Sequence, residues 1–419
     1  MSFSPDPASH IDKSEPGRGS RRFVFLQMPQ SDFPRRLGRR LTRSGHKVYK
    51  VNFCGGDILH WWQLGGYSFS GGLNRWSIWF NDFLDKVQPT DIMLTGDRRP
   101  LHQIAIQLAK LRGIRIYVFE EGYLRPHFIT MELNGVNGQS ELPRDPKTIL
   151  AMAEGLPPAV PSPNLPQDIP HQVWGAFKFH FGSLLLFPFF ARYRSHRPQT
   201  PYREALGLVP RYLTRAKRKA NDKEALESFL ADGRKYFFVP LQLPADMQLR
   251  CYSRFLSLRE IISIILASFK RGAPADVSLV VKSHPFDWQI KRHRRFTLEF
   301  AQAIGLGDRV CYVDEGNTNK MVAGSEGLAL VNSTTGMTAI STGKPVFCLG
   351  RSIYAIAGLA TFGGEEELDN FWRNPVPPDP DLSDAFVRLL QAKAVLPGNF
   401  HTRDGIEMAV EGCLKRMEV

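Results

Sequence analysis

Apolar positions along this chain fall into short, β-branched or aromatic runs separated by amphipathic stretches of helical length. Phe23–Leu26, His46–Asn52, Asp91–Thr95 and Ile114–Phe119 read as strands. The stretches between them read as helices, one carrying Arg35, Arg36, Arg39 and Arg40 and another running through Ala109. Strand and helix alternating at this spacing predict a parallel, doubly wound sheet. A second set of the same kind begins at Tyr236, with strands at Tyr236–Val239, Val277–Val281, Leu328–Val331 and Pro345–Leu349 and a helix near Leu258–Phe269. Most of the runs are predominantly apolar rather than strictly alternating, as expected of strands covered on both faces.

Between the two sets the pattern changes. Residues 155–170 are rich in proline and read as a linker. Trp174, Phe177, Phe179, Phe181 and the run Leu184–Phe187 follow, and then Arg192 to Lys219 carries nine basic residues and one acid, Glu204. Two readings stay open for this stretch. One is a helical hairpin packed on the core with a solvated basic face; the other is an interfacial segment, its apolar side in lipid and its cations on phosphates. The expected organisation is a disordered start (1–21), a Rossmann-like domain (22–155), a linker and helical segment (156–232), a second Rossmann-like domain (233–380) and a helical tail (381–419). The fold class is α/β, with a cleft between two sets of strand ends, a preferred place for small molecules.

Composition narrows the partners. The chain has 419 residues, 43% of them hydrophobic and 23% charged, and a net charge of +13 from 54 basic and 41 acidic side chains. That excess favours a polyanionic partner: nucleic acid, an anionic membrane face or an acidic substrate. Cys54, Cys251, Cys311, Cys348 and Cys413 show no paired spacing, which predicts a reducing compartment and no zinc site. The polar first 21 residues lack the apolar core of a secretory signal, and no run is long enough to span a bilayer. The expected location is the cytoplasm, with room for attachment to a membrane surface.

The candidate chemistry sits where strands end. Phe119-Glu120-Glu121-Gly122-Tyr123-Leu124-Arg125-Pro126 closes an apolar run with two adjacent carboxylates, which raise each other's pKa. A turn with one acid paired to Arg125 and a catalytic pair are both compatible with it. In the second set, Asn332-Ser333-Thr334-Thr335-Gly336 opens a helix with hydroxyls and free backbone N–H groups, suited either to ordinary capping or to a phosphate. Lys282 and His284 end a neighbouring strand. Asp246 lies on a loop near Gln242 and Gln248. Asp246 and the Glu120-Glu121 pair give carboxylates on opposite walls of the cleft, as double displacement at a sugar carbon requires. Neither GxGxxG nor GxxxxGK[ST] occurs, so dinucleotide and P-loop readings lose their main support.

These motifs resemble those of the capsule polysaccharide biosynthesis/export family of Gram-negative bacteria, the KpsS/LipB type. The likeness runs roughly from Phe23 to Leu359. It is carried by Gln27 and Pro29; Asn52-Phe53 with Gly55-Gly56-Asp57; Gly96-Asp97 with Arg99-Pro100; Glu120–Pro126; Gly135–Gly138; Leu142–Pro146; Val239–Gln242 with Asp246 and Gln248; Lys282 with His284-Pro285; and Asn332–Thr334 with Gly336. Met28 stands where a glycine is usual and Cys54 where an asparagine is common.

The resemblance implies a GT-B glycosyltransferase of the retaining β-Kdo type, related to KpsC-like transferases. It would take Kdo from CMP-Kdo to a (lyso)phosphatidylglycerol and so begin the Kdo linker of a capsule. By the same resemblance Asp246 is the nucleophile, the acid/base lies in Glu120-Glu121 with Glu120 ahead, and Lys282, His284 and Ser333, with Asn332, Thr334 and Gln242, hold the donor. Arg125 or Arg99 could hold the Kdo carboxylate. No metal or cofactor is expected. The implied setting is the cytoplasmic face of the inner membrane, beside a KpsC-like transferase and a capsule ABC exporter. Two other classes remain to be weighed: a non-catalytic export or scaffold component, and a nucleic-acid binder. The second lacks any recognisable RNA- or DNA-binding module.

Overall fold

The computed structural model describes residues 19–63, 65–166, 168–195, 213–231, 233–244, 246–284, 287 and 292–419. Most of the polar N-terminal stretch, the middle of the basic run and Pro285 lie outside them, as does the side chain of Gln248. Two sheets organise the chain. The first contains β1 (Arg22–Phe25), β2 (Lys47–Asn52), β3 (Gly66–Ser68), β4 (Asp91–Thr95), β5 (Arg115–Glu121), β6 (Phe128–Leu133) and β13 (Val395–Pro397), in the order β13-β6-β5-β4-β1-β2-β3. The second contains β7 (Tyr236–Pro240), β8 (Ser278–Lys282), β9 (Val310–Val313), β10 (Gly327–Leu330), β11 (Val346–Cys348) and β12 (Thr361–Phe362), in the order β12-β11-β10-β7-β8-β9. Every pairing in the second sheet is parallel. The fold is α/β and GT-B-like: two lobes, each a parallel-dominated sheet covered by helices. The expected strands all form, because their apolar side chains are buried on both sheet faces; β4 and β8, for instance, are buried from end to end.

The first lobe departs from the sequence expectation in two ways. β5 runs through both glutamates, and its neighbour β6 is antiparallel, pairing Glu120 with Thr130 and Glu121 with Ile129. The acids therefore lie in a strand rather than in a turn beyond it. β6 carries Thr130 and Glu132 among its apolar residues, which hid it within the motif region. The expected helical tail is also more than a tail. β13 pairs antiparallel with β6, and the helix Arg403–Met417 returns to the first lobe. There Arg36 and Arg40 of the helix Phe33–Arg43 form ion pairs with Glu407 and Glu411, and Phe33 and Phe400 meet at 4.9 Å between ring centroids. Three residues are too few to read as a strand from their pattern, so only the pairing partner reveals β13.

The segment after the linker forms the helix Ile169–Leu185, which lies across the helix Gly55–Trp61. Their contact is backbone to backbone. A Cβ at Gly55 would stand 1.9 Å from the Gly182 carbonyl oxygen, and one at Gly56 would stand 2.5 Å from the Phe179 ring. The Gly55-Gly56 pair is thus required by close packing. Asp57 follows it, accepting the Phe53 N–H at 2.9 Å and facing the buried Lys50 ammonium at 4.0 Å. The outer face of the long helix keeps Trp174, Phe177 and Phe181 about half exposed.

Candidate active site

The end of β5 presents two carboxyl groups with opposite surroundings. Glu121 receives a 2.8 Å hydrogen bond from Arg125 and another of 2.8 Å from His401. Burial pushes the Glu121 carboxyl up, but the bonds and charges of His401 and Arg125 outweigh it and hold it at about 2. The bond to Glu121 in turn raises the His401 imidazole. Among the described residues Glu120 has no such partner pair. Burial pushes it up to about 7 despite the opposing charge of Arg99, and the charges of Glu121 and Asp246 add to the rise. Strand pleating aims the two side chains to opposite faces, which is how adjacent residues acquire such different environments.

Gly96 lies beside this arrangement and supplies a turn in the left-handed region. It sits at φ +72°, and a Cβ there would lie 3.5 Å from both Arg99 Nε and Glu120 Oε2. Arg99 donates to Gln27 Oε1 at 3.0 Å, and Gln27 shares hydrogen bonds with the Tyr193 hydroxyl at 3.0 and 3.2 Å. Gln27, from the loop after β1, thereby fixes the guanidinium that borders Glu120.

The second lobe brings Asp246 to the same cleft. Gln242 Nε2 donates to Asp246 Oδ2 at 3.3 Å and to Asn332 Oδ1 at 2.9 Å, while its carbonyl oxygen accepts the Asn332 N–H at 3.2 Å. One amide side chain thus couples the Asp246 loop to the loop after β10. Ser333 Oγ accepts the Thr335 N–H at 3.3 Å, and the Tyr354 hydroxyl donates to the Ser333 carbonyl. Gly336 has Tyr354 directly over it, the ring 2.4 Å from a would-be Cβ. Thr334, Asn332 and Arg351 line a small cavity with Tyr123 and Asn137 of the first lobe. Lys282, the last residue of β8, is buried, with Nζ 3.4 Å from the Ser283 carbonyl; His284 beside it is partly exposed. Asp379-Pro380-Asp381 has the spacing of a metal-binding acid pair, but Asp379 caps its own helix through the Leu382 N–H at 2.9 Å.

The cleft thus collects Glu120, Glu121 and Arg99 from one lobe and Asp246, Gln242 and Asn332 from the other. Arg125 is held on Glu121. Three contributors carry no local sequence signal: His401, from the returning C-terminal segment; Tyr193, beyond the long helix; and Tyr252. The Tyr252 hydroxyl accepts from Arg98 at 2.8 Å and stands 3.5 Å from both Asp97 oxygens, with the Arg98 guanidinium 4.8 Å over its ring. It pegs the second lobe to the first. Other motif residues serve the frame. Tyr123 is buried, bonded to Glu132 Oε1 at 2.5 Å and to the Asn137 N–H at 2.5 Å; Glu132 also takes the Ser140 hydroxyl. Arg144 reaches the Ser352 carbonyl across the lobes at 2.6 Å.

A two-lobed, GT-B-like α/β protein with carboxylates facing one another across its cleft is the class this geometry defines. The family model described as "Capsule polysaccharide biosynthesis protein" matches residues 90–401. The chain belongs to that family. It is 31% identical over 377 residues to the Escherichia coli "Capsule polysaccharide export protein KpsS", covering 89% of this chain and 95% of the relative. It is 29% identical over 406 residues to a Neisseria meningitidis "Capsule polysaccharide modification protein LipB", covering 91% of each. A looser likeness in the solved structures is to "Thermosulfurimonas dismutans KpsC, beta Kdo 2,7 transferase", with a TM-score of 0.45, 15% identity and coverage of 94% of this chain and 99% of that one.

Proposed function

We propose that this chain is a capsule glycosyltransferase that moves Kdo from CMP-Kdo to a phosphatidylglycerol-type lipid by double displacement. What supports the reading is that the Asp246 charge reaches the buried Glu120 carboxyl from the opposite lobe, while Glu121 is locked to His401 and Arg125. In the first step an Asp246 carboxylate oxygen attacks the anomeric carbon. The bond from that carbon to the CMP phosphate oxygen breaks, and its electron pair leaves with CMP. Lys282, His284 and the Asn332–Thr334 loop neutralise the phosphate, so departure needs cations more than a proton donor. In the second step Glu120 takes the proton of the acceptor hydroxyl, whose oxygen attacks the same carbon and frees Asp246. Arg99, whose charge opposes the rise at Glu120, would hold the sugar's own carboxylate by a charge-assisted contact. The reaction needs no metal or cofactor. The protein would work on the cytoplasmic face of the inner membrane, alongside a KpsC-like transferase and the capsule ABC exporter.

The Escherichia coli relative is named an export protein, which favours a second reading: a non-catalytic export component. Intact-mass measurement separates the two. Incubated with CMP-Kdo alone, the protein should gain one Kdo and release CMP, and Asp246→Asn should gain none. Normal turnover by Asp246→Asn would sink the nucleophile assignment; no CMP release by the wild-type chain would favour the export component.

A further inference from the structure

Outside the carboxylate cleft, an apolar surface and a basic cavity adjoin each other. The helix Ile169–Leu185 turns its inner face to Gly55-Gly56 and exposes Trp174, Phe177 and Phe181 at 58%, 51% and 48%. Their rings stack in a row, 5.5 and 5.6 Å between centroids. Further along the same segment Leu185 and Phe189 are 60% and 71% exposed. Fixed aromatic rings in water at this density mark a binding surface rather than ordinary scatter. Phe190 then turns inward and anchors the chain, and Arg192, Tyr193 and Arg194 line a cavity of about 140 Å³ whose far wall is Gln27 and Arg99. Phe69, Leu73 and Leu101 give it apolar sides, and Leu73 is itself half exposed at 50%. Among the described residues the cavity is lined by three arginines and no acid, and one of the three, Arg99, also borders Glu120.

We propose that the ridge from Trp174 to Phe189 seats the protein in an anionic lipid surface, and that the adjoining cavity receives the phosphate headgroup of the lipid acceptor between Arg192 and Arg194, with Arg99 at its far wall left to the sugar. Charge selects the occupant. A ridge for a second protein chain would not lead into an arginine-lined cavity, whereas a phospholipid has both an apolar part for the ridge and a phosphate for the guanidiniums. The acceptor's hydroxyl then lies on the Glu120 side of Arg99, with its acyl chains left in the bilayer along Leu73 and the ridge. This inference rests on the lipid-acceptor reading above and adds the route by which the lipid arrives.

The test uses the full chain and phosphatidylcholine vesicles with and without phosphatidylglycerol. Wild-type protein should co-sediment with the anionic vesicles and bind the neutral ones more weakly. Replacing exposed rings (Trp174→Ser with Phe177→Ser) should lower vesicle binding by roughly tenfold or more per ring, while Kdo-adduct formation from CMP-Kdo persists. Arg192→Ala with Arg194→Ala should raise KM for phosphatidylglycerol, and equally for glycerophosphoglycerol, a headgroup without acyl chains; a KM rise with the lipid only would assign the arginines to the bilayer surface and overturn the cavity. Unimpaired vesicle binding by the ring variant, or a wild-type dimer that the ring variant converts to monomer, would overturn the ridge. Vesicle binding without any Kdo adduct would instead refute the transferase reading and leave the membrane seat standing.

Discussion

Substituting the two adjacent glutamates separately asks the structure for a specific asymmetry. Glu120→Gln removes a carboxyl that burial raises from 4.5 to about 7, a preference for the neutral form of about 3 kcal/mol. A group so placed is half ionised near neutrality, where it accepts a proton and holds it with little driving force either way. Loss of a positioned general base costs about 10²–10⁴ in rate, or about 3–5 kcal/mol of barrier. Transfer to the lipid should therefore fall by that factor, while the adduct on Asp246 still forms and accumulates. The rising limb of activity near pH 7 should vanish with the carboxyl. Glu121→Gln removes two partly exposed ion pairs, to Arg125 and His401, each worth about 0–1 kcal/mol. Its effect should stay within about tenfold. The assay is single-turnover transfer from CMP-Kdo to phosphatidylglycerol across pH 5–9, with intact mass read in parallel. If Glu121→Gln abolishes transfer and Glu120→Gln keeps the pH limb, the argument from surroundings is wrong.

Three further outcomes follow from the frame. Gly55→Ala forces a Cβ onto the Gly182 carbonyl, a backbone atom that cannot rotate away; it should cost about 1–3 kcal/mol or more, seen as a lower denaturation midpoint. Burial raises the Glu132 carboxyl to about 7, despite bonds from Ser140 and Tyr123. Its folded pKa lies above the unfolded one, so its contribution is complete below about pH 4.5 and is lost as pH rises through 7; Glu120 titrates over the same window, so Glu132→Gln should lose up to about 3 kcal/mol less than the wild-type protein there, not nothing. Tyr252→Phe deletes the hydroxyl that Arg98 and Asp97 share across the lobes and should cost about 1 kcal/mol; unchanged stability in urea would show that the ring alone makes the peg.

The primary structure by itself determined eight strands, because runs buried in a sheet are predominantly apolar and so stand out against amphipathic helices; the short or mixed β3, β6, β9, β12 and β13 were not legible in it. It also singled out the loops proposed to carry chemistry. Glu120-Glu121, Asp246 and Asn332–Thr334 are polar residues at the ends of apolar runs, and such positions are visible without coordinates. What it left undecided is how neighbours divide their roles. Glu120 and Glu121 are chemically identical in the chain; only pairing with β6 and the return of His401 from 280 residues away separates a carboxyl held at about 2 from one raised to about 7. The same holds for Gly55-Gly56, whose purpose is the passage of another helix's backbone, and for β13, three residues that are a strand only because β6 offers an open edge. Local pattern records what each residue buries; electrostatic surroundings and long-range pairing exist only once distant segments meet, and that is where the tertiary structure decided.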